Sequence, residues 1–406
     1  MQEGRRKTGN QASLREANRA RIVAAVKQHG GLSQVELAGS TGLSPATVSN
    51  IVKELVASGV LHTAPTTQSG RRAIRVTLAH GLGLVAGVHV TERHLRVVLS
   101  DLSATVVSEH HMPLGRHHRP DQGLDTASML VADMLESVDA QLDELVGVGL
   151  AVAAPVDAAA GRIASTAALR GWSGVDAAEG LGRRLARPVH LDNSANLIAL
   201  AEWRLGAGRG KDDLIVIEAG DGIGAVVVVA GRLLRGHRGV AGELGHVVVD
   251  PHGPSCRCGA RGCLEALAAA PAVVDGLDDP RITKLTDVLI RAVAGEQESI
   301  RAIGDAGRAF GLAAVTACNL LDPERIVVSG ELARAGELLI GPLRHALEAG
   351  LLVAPHGAPD VVTGQLGEGA AALGAALLAI ERAELPVGGH EPVTIERDGP
   401  LLAFTT

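Results

Sequence analysis

The chain has 406 residues, enough for two or three domains, and 46% of them are hydrophobic. Aromatic residues are nearly absent (Trp172, Trp203, Phe310 and Phe404), so there is no ladder on which to stack the bases of a single strand. Four cysteines in this length argue against a disulfide scaffold. The net charge of −7 divides unevenly: residues 1–80 hold 11 Lys/Arg against 4 Asp/Glu, and the remainder 27 against 41. A basic head suits phosphates that an acidic body would repel. The first residues, "MQEGRRKTGNQASL", lack the apolar run of a signal peptide, and "IGAVVVVAG" is too short to span a bilayer. The expectation is a cytoplasmic protein with no membrane partner.

In the head, Ile22, Val23 and Val26 recur at helical spacing, and Gly30 and Gly31 end that helix. Ser33 and Glu36 form a capping box opening a short helix with Val35 and Leu37, and Gly42 makes the turn. Ser44 caps the next helix, with Pro45 at its first position, and Gly59 stops it after Ser58. Val48, Ile51, Val52 and Leu55 face inward, while Ser44, Ala46, Thr47, Ser49, Asn50 and Lys53 lie outward or near the start. Two short helices about a Gly turn make helix-turn-helix spacing, in which the second helix can enter a major groove. Leu61–Thr63 and Ile74–Leu78 read as a two-stranded wing, with Gly70, Arg71 and Arg72 at its tip within reach of phosphates or a minor groove.

Beyond residue 80 the pattern turns to strands: "LGLVAGVHVT", "HLRVVLSDLS" and "ATVVSEHHM", a helix near Ala127–Leu145, then "VGVGLAVAAP". A second series follows: "DLIVIEAG", "GIGAVVVVAG", "RLLRG", helices around Cys263–Ala270 and Ile300–Leu320, the strand "RIVVSG", another helix, and an Ala-rich one near Gly369–Ile380. Two successive α/β halves suggest two lobes around a cleft. The expected division is a winged head at 1–80, a first lobe at 81–193 plus about 366–382, a second lobe at 194–365, and a peripheral tail at 383–406.

The stretch "GELGHVVVDPHGPSCRCGARGCLEAL" holds Cys256, Cys258 and Cys263. With His246 they complete a tetrahedral shell of soft ligands suited to zinc, closed to water and therefore structural. His252, nearer the thiols, is an equal choice by spacing alone. Glu243 and Glu265 flank the knot, where held carboxylates can accept hydrogen bonds from sugar hydroxyls. Cys318 reads as a core thiol.

On these motifs the chain resembles the ROK family of repressors, open reading frames and kinases over roughly residues 15–382. The head, with Arg15–Ile22 and "GLSPATVSNIVKELVASG", is similar to that of the repressor branch. The resemblance implies a winged helix-turn-helix followed by a two-lobed α/β, actin-like and sugar-kinase-like (ribonuclease H-like) body. It also implies zinc on His246 rather than His252, and sugar contacts from Asn193, Glu243, His246 and Glu265. The kinase motifs depart from the family pattern. "GVDIGGTK" stands here as "GVHVTERH" at 87–94, "ENDAN" as "DNSAN" at 192–196, and "GTGIG" as "GDGIG" at 220–224; Ser329, Gly330 and Glu331 follow the same drift. The base position is thus Ser194, which takes no proton at neutral pH without an activator, and acids enter two phosphate loops. The expectation is a regulator and not an enzyme. It would bind a double-stranded DNA operator as a homo-oligomer, dimer or tetramer, and answer to a sugar or sugar derivative. A sugar kinase with an appended head, and a regulator sensing a protein partner, are the alternatives.

Overall fold

The computed structural model describes residues 8–385 apart from 69–70, 116–117, 158–160, 165–168, 170, 238 and 353–356; side chains at 8–12, 67–68 and 71–72 are likewise outside the description. The tip residue Gly70 and the tail beyond 385 therefore lie outside the described residues.

The head runs α1 (Thr8–His29), β1 (Leu32–Ser33), α2 (Gln34–Thr41), α3 (Pro45–Ala57), β2 (Leu61–Gln68) and β3 (Arg71–Leu78). The capping box forms: Ser33 N donates to Glu36 Oε2 at 2.7 Å, and Glu36 N to Ser33 Oγ at 3.3 Å. Gly42, at φ +69°, closes α2 in the left-handed region that favours glycine. Leu37, Val48, Ile51, Val52 and Leu55 are buried with Ile22, Val23 and Val26, whereas Val35 is 82% exposed. The wing strands are longer than their apolar cores suggest. Pro65 sits inside β2 opposite Ile74, tolerated because β2 is the sheet's edge.

The body follows as β4 (Leu84–Val90), β5 (His94–Asp101), β6 (Val106–Pro113), α4 (Pro120–Ser137), β7 (Leu145–Val152), β8 (Val156–Asp157), β9 (Arg162–Ile163), α5 (Ala177–Leu185), β10 (Val189–Asn193) and α6 (Ser194–Arg204). Then come β11 (Leu214–Ala219), β12 (Ile223–Val229), β13 (Arg232–Leu233), α7 (Leu264–Ala268), α8 (Ala270–Asp275), α9 (Leu285–Val293), α10 (Gln297–Leu321), β14 (Arg325–Ser329), α11 (Glu337–Gly350), β15 (Asp360–Thr363) and α12 (Ala370–Arg382). The first sheet is ordered β10-β7-β4-β5-β6 and the second β13-β12-β11-β14-β15. Each is an antiparallel three-strand meander extended by two parallel strands, so the two lobes share one topology.

Two elements differ from the sequence reading. The helix expected at 127–145 is α4, 120–137: Pro120 opens it, and Asp139 at φ +56° turns the chain out before β7. The expected helix at 263–270 is two, broken at Ala269, whose extended backbone (ψ 158°) precedes Pro271 near the start of α8. Trp172 and Cys318 are core residues. Helix α12 lies directly on the first sheet. A Cβ at Gly87 or Gly149 would fall 1.9 or 1.8 Å from the carbonyl oxygens of Ala372 and Ala375, so only glycine permits the contact. No helix among the described residues is long and apolar enough to cross a membrane.

Candidate functional site

In the head, the cap places the start of α3 outward: Ser44 Oγ accepts from Thr47 N at 3.2 Å and lies 2.8 Å from Thr47 Oγ1. Ser44, Ala46, Asn50 and Lys53 are exposed, and Thr47 and Ser49 half-buried. Arg71 and Arg72 begin β3 next to the tip, and their side chains lie outside the description. This is a short, small-residue helix end projected beside a hairpin, the shape a major groove admits.

In the second lobe, one ligand atom from each of His246, Cys256, Cys258 and Cys263 lies within 4.8 Å of every other. Cys256 Sγ is 3.6 Å from His246 Nδ1, and Cys258 Sγ 3.6 Å from Cys263 Sγ. A zinc tetrahedron with Zn–S bonds of about 2.3 Å has S–S edges of about 3.8 Å and slightly shorter S–N edges, so the donors fit that ion. His252 is outside the cluster, its backbone N–H bonded to Asp250 Oδ1. A left-handed Gly262 allows the loop to close, since a Cβ there would meet Asp250 O at 1.4 Å. Burial and the neighbouring thiols push the Cys263 thiol up to about 12, while the Ala260 amide and Cys256 hold Cys258 below its ordinary value. A cation among the thiolates would relieve that crowding.

His246 presents Nδ1 to the thiols and Nε2 to Glu243 Oε2, 3.8 Å away. One imidazole therefore joins the thiol cluster to an exposed carboxylate. Glu265 is buried at the start of α7; its Oε2 accepts from Ile223 N at 3.1 Å and Arg257 Nη2 at 2.6 Å. Arg257 was not singled out by the sequence, because spacing does not say that a side chain between two cysteines turns back onto Glu265. A cavity of about 550 Å³ adjoins Glu265 on the side of Asp221, Arg257 and Asp275; Asn193, Glu243 and His246 do not line it. Asn193 ends β10 and caps α6: Oδ1 accepts from Ala195 N and Nδ2 donates to Ala154 O, both 2.8 Å. The two sides meet at β12, where a Cβ at Gly224 would lie 3.1 Å from Ala195 Cβ and one at Gly245 2.2 Å from Ile223 O. The structure thus pairs Glu243 with His246, sets Glu265 across Ile223, and brings Asn193 to the same strand from the other lobe through Ala195.

In the two stretches that match the family's phosphate loops, side chains of the chain itself take some of the backbone amides. At 91–94, Thr91 Oγ1 accepts from Arg93 N (3.3 Å) and His94 N (3.0 Å). At 220–224, Glu265 takes the Ile223 amide. Burial, then Arg96 and His94, push the His89 imidazole down to about 4, so it carries no charge at neutral pH. Burial and the charge of Asp221 push the Glu218 carboxyl up to about 7. Ser194 is buried at the first turn of α6. Its neighbour Asp192 is held by partners on both oxygens: Oδ2 is paired with Arg235 at 2.6 Å, and Oδ1 accepts from Asn193 N and Asn196 Nδ2.

A winged helix-turn-helix ahead of a two-lobed, sugar-kinase-like α/β body defines the class of this protein. The ROK family model matches residues 85–382, and that of winged helix-turn-helix DNA-binding domains residues 15–61. The chain belongs to the ROK family, on the branch that carries a winged head. It is 28% identical over 367 residues to the N-acetylglucosamine repressor of Escherichia coli O6:H1 strain CFT073, covering 86% of this chain and 89% of that one. It is 34% identical over 275 residues to a glucokinase of Thermotoga maritima, covering 64% and 86%. The crystal structure of a ROK family transcriptional regulator, a homologue of the E. coli MLC protein, superposes with a TM-score of 0.73 at 24% identity, over 91% of this chain and 96% of that chain, and shows the shared fold.

Proposed function

We propose that the chain is a DNA-binding transcriptional regulator, too poor in phosphate contacts to be a kinase and answering instead to a sugar or sugar derivative.

 The observation that carries this reading is the contrast between the two sides of the cleft. Glu243 and His246 stay in contact beside the thiol cluster, while Thr91 takes the amides of Arg93 and His94 in one of the phosphate-loop stretches and Glu265 that of Ile223 in the other. Transition-state charge on a phosphoryl group would meet fewer free amide donors there, with Glu92 and Asp221 adding negative charge to the two loops. The repressor among the relatives supports a regulator, and the glucokinase among them marks the alternative, a kinase with an appended head.

In this account zinc is bound by His246, Cys256, Cys258 and Cys263 in a structural role, holding Glu243 and His246 in place. Asn193, Glu243, His246 and Glu265 bind the sugar between a first lobe of residues 81–193 plus about 366–382 and a second of 194–365. Ser44, Ala46, Thr47, Ser49, Asn50 and Lys53 face the major groove, with Arg71 and Arg72 on the backbone or minor groove. A homo-oligomer, dimer or tetramer, presents paired heads to a near-palindromic operator in the cytoplasm. Sugar changes DNA affinity only as far as it binds the two states of the protein differently. The test is fluorescence anisotropy of a DNA fragment covering the protein's own promoter, with N-acetylglucosamine, glucose and xylose in turn. One sugar should shift the affinity of the wild-type chain, and Glu243→Gln should abolish that shift. A response that survives Glu243→Gln unchanged would remove the sugar pocket from the account.

A further inference from the structure

Helix α6 begins at the sugar side and ends at the head. Its N-cap is Asn193 and its last residue is Arg204. Nine of its residues are buried, Ser194 and Leu197 through Arg204, so it is enclosed on nearly every side. It spans about 16 Å at 1.5 Å per residue. Its middle lies against α12 with backbones in contact: a Cβ at Gly374 would fall 1.8 Å from Leu197 O. A helix held this closely moves as a rod or not at all.

The C-terminal end of the rod meets the head. Arg204 Nη1 donates to His29 Nδ1 at 3.0 Å, on the last turn of α1, and Arg204 Nη2 lies 3.6 Å from Glu381 Oε1 on α12. The guanidinium also stacks 3.7 Å above the Trp203 ring. The next residue, Leu205, reaches the α1 terminus, its Cδ2 lying 3.9 Å from where a Gly30 Cβ would be. From there the wing follows directly, because Arg75 of β3 donates to Gly30 O at 3.3 Å. Lys27 of α1 bonds the Ala383 carbonyl just beyond α12.

We propose that α6 carries the sugar response to the DNA head, and that His29, Arg204 and Glu381 form the joint through which it does so. This rests on the regulator reading above and adds its route. A ligand that moves Asn193 displaces the start of α6; the rod transfers that displacement to Arg204, and the head turns with His29. His29, Arg204 and Glu381 are not among the proposed sugar or DNA contacts, so they are positioning residues. Their signature is a change in coupling between the two affinities.

The experiment measures, on the full-length protein, promoter-fragment affinity with and without sugar, and sugar affinity by calorimetry without DNA. The sugars are N-acetylglucosamine, glucose and xylose. The variants are His29→Ala and Arg204→Lys; the first trims a half-buried residue and keeps the test alive if the second fails to fold. Allosteric coupling factors are typically about 5- to 150-fold. The expected result is sugar affinity within about twofold of wild type and a coupling factor that falls at least about threefold toward one. A wild-type coupling factor in both variants overturns the joint and leaves the regulator reading standing. If no sugar affects the wild-type chain, that reading fails, and a cycle of Asn193→Ala with His29→Ala on DNA affinity decides the joint by itself. Non-additive effects support it, and additive effects overturn it.

Discussion

Glu202 offers the sharpest energetic test of the body. It is fully buried two residues before the end of α6. Its carboxylate accepts backbone N–H groups from Ala207 at 3.0 Å, Gln365 at 3.1 Å and Leu366 at 3.0 Å. It thereby ties α6 to the chain crossing from β15 to α12. The fit depends on two neighbours without side chains: a Cβ at Gly206 or Gly364 would lie 2.1 or 2.6 Å from a carboxylate oxygen. Glu202→Ala leaves all three amides without this acceptor. At about 1–3 kcal/mol for each unsatisfied buried donor the gross cost is about 3–9 kcal/mol. Relief from burying a carboxylate offsets part of that, so the net loss is expected to be about 3–5 kcal/mol. Glu202→Gln keeps one oxygen, which can still serve Ala207 and Gln365, and gives up only the Leu366 bond, for about 1–2 kcal/mol. Urea unfolding followed by tryptophan fluorescence reads both, with Trp203 adjacent, and an unchanged m-value licenses the comparison. Glu202→Ala within about 1 kcal/mol of wild type, or Gln as damaging as Ala, would refute the reasoning.

The Glu218 carboxyl sits at about 7 in the fold against an ordinary 4.5. The native state therefore holds its proton more tightly between those values, and stability falls as pH rises from about 4.5 through 7. Glu218→Gln should flatten that slope and leave the variant more stable at pH 8 by up to about 3 kcal/mol; a variant no more stable than wild type at pH 8 would contradict it. If zinc occupies the cluster, the wild-type chain should carry about one ion and Cys263→Ser should lower both zinc content and melting temperature; a zinc-free wild-type chain, or zinc content unchanged in the variant by atomic absorption, would rule out zinc at this cluster. Ser194→Asp restores a carboxylate at the base position yet should not yield ATP-dependent phosphorylation of glucose, because Thr91 and Glu265 still hold the loop amides. Turnover in that variant would show that those amides are available.

What could be read in advance was local. The Ser33–Glu36 capping box, the Gly42 turn and the Ser44 cap are decided by residues two to four apart, and the sequence states them directly. The thiol cluster was legible for the same reason, since Cys256, Cys258 and Cys263 share one short loop and soft ligands imply their own ion. The contacts that organise α6 were not. Arg204 meets His29 across 175 residues and Glu202 meets Leu366 across 164, and no periodicity in either segment announces its partner. Helix α6 is nearly wholly buried and lacks the one-sided apolar stripe of a surface helix, whereas α5 and α9 carry such a stripe but run only nine residues each, too short for the period to stand out. The capture of amides in the phosphate-loop stretches was half legible. Substituted residues show in the sequence that the motif is altered, but that Thr91 captures the amides of Arg93 and His94 is a fact of geometry.

The central claim is a regulator that binds DNA, answers to a sugar and does not phosphorylate it. A gel-shift titration of the purified chain on its own promoter region, with and without a panel of sugars, tests it most directly when the same preparation is assayed for ATP turnover. The account predicts a specific shift that one sugar releases or strengthens, with no turnover of that sugar. Phosphorylation of the sugar, or the absence of any specific shift, would contradict it.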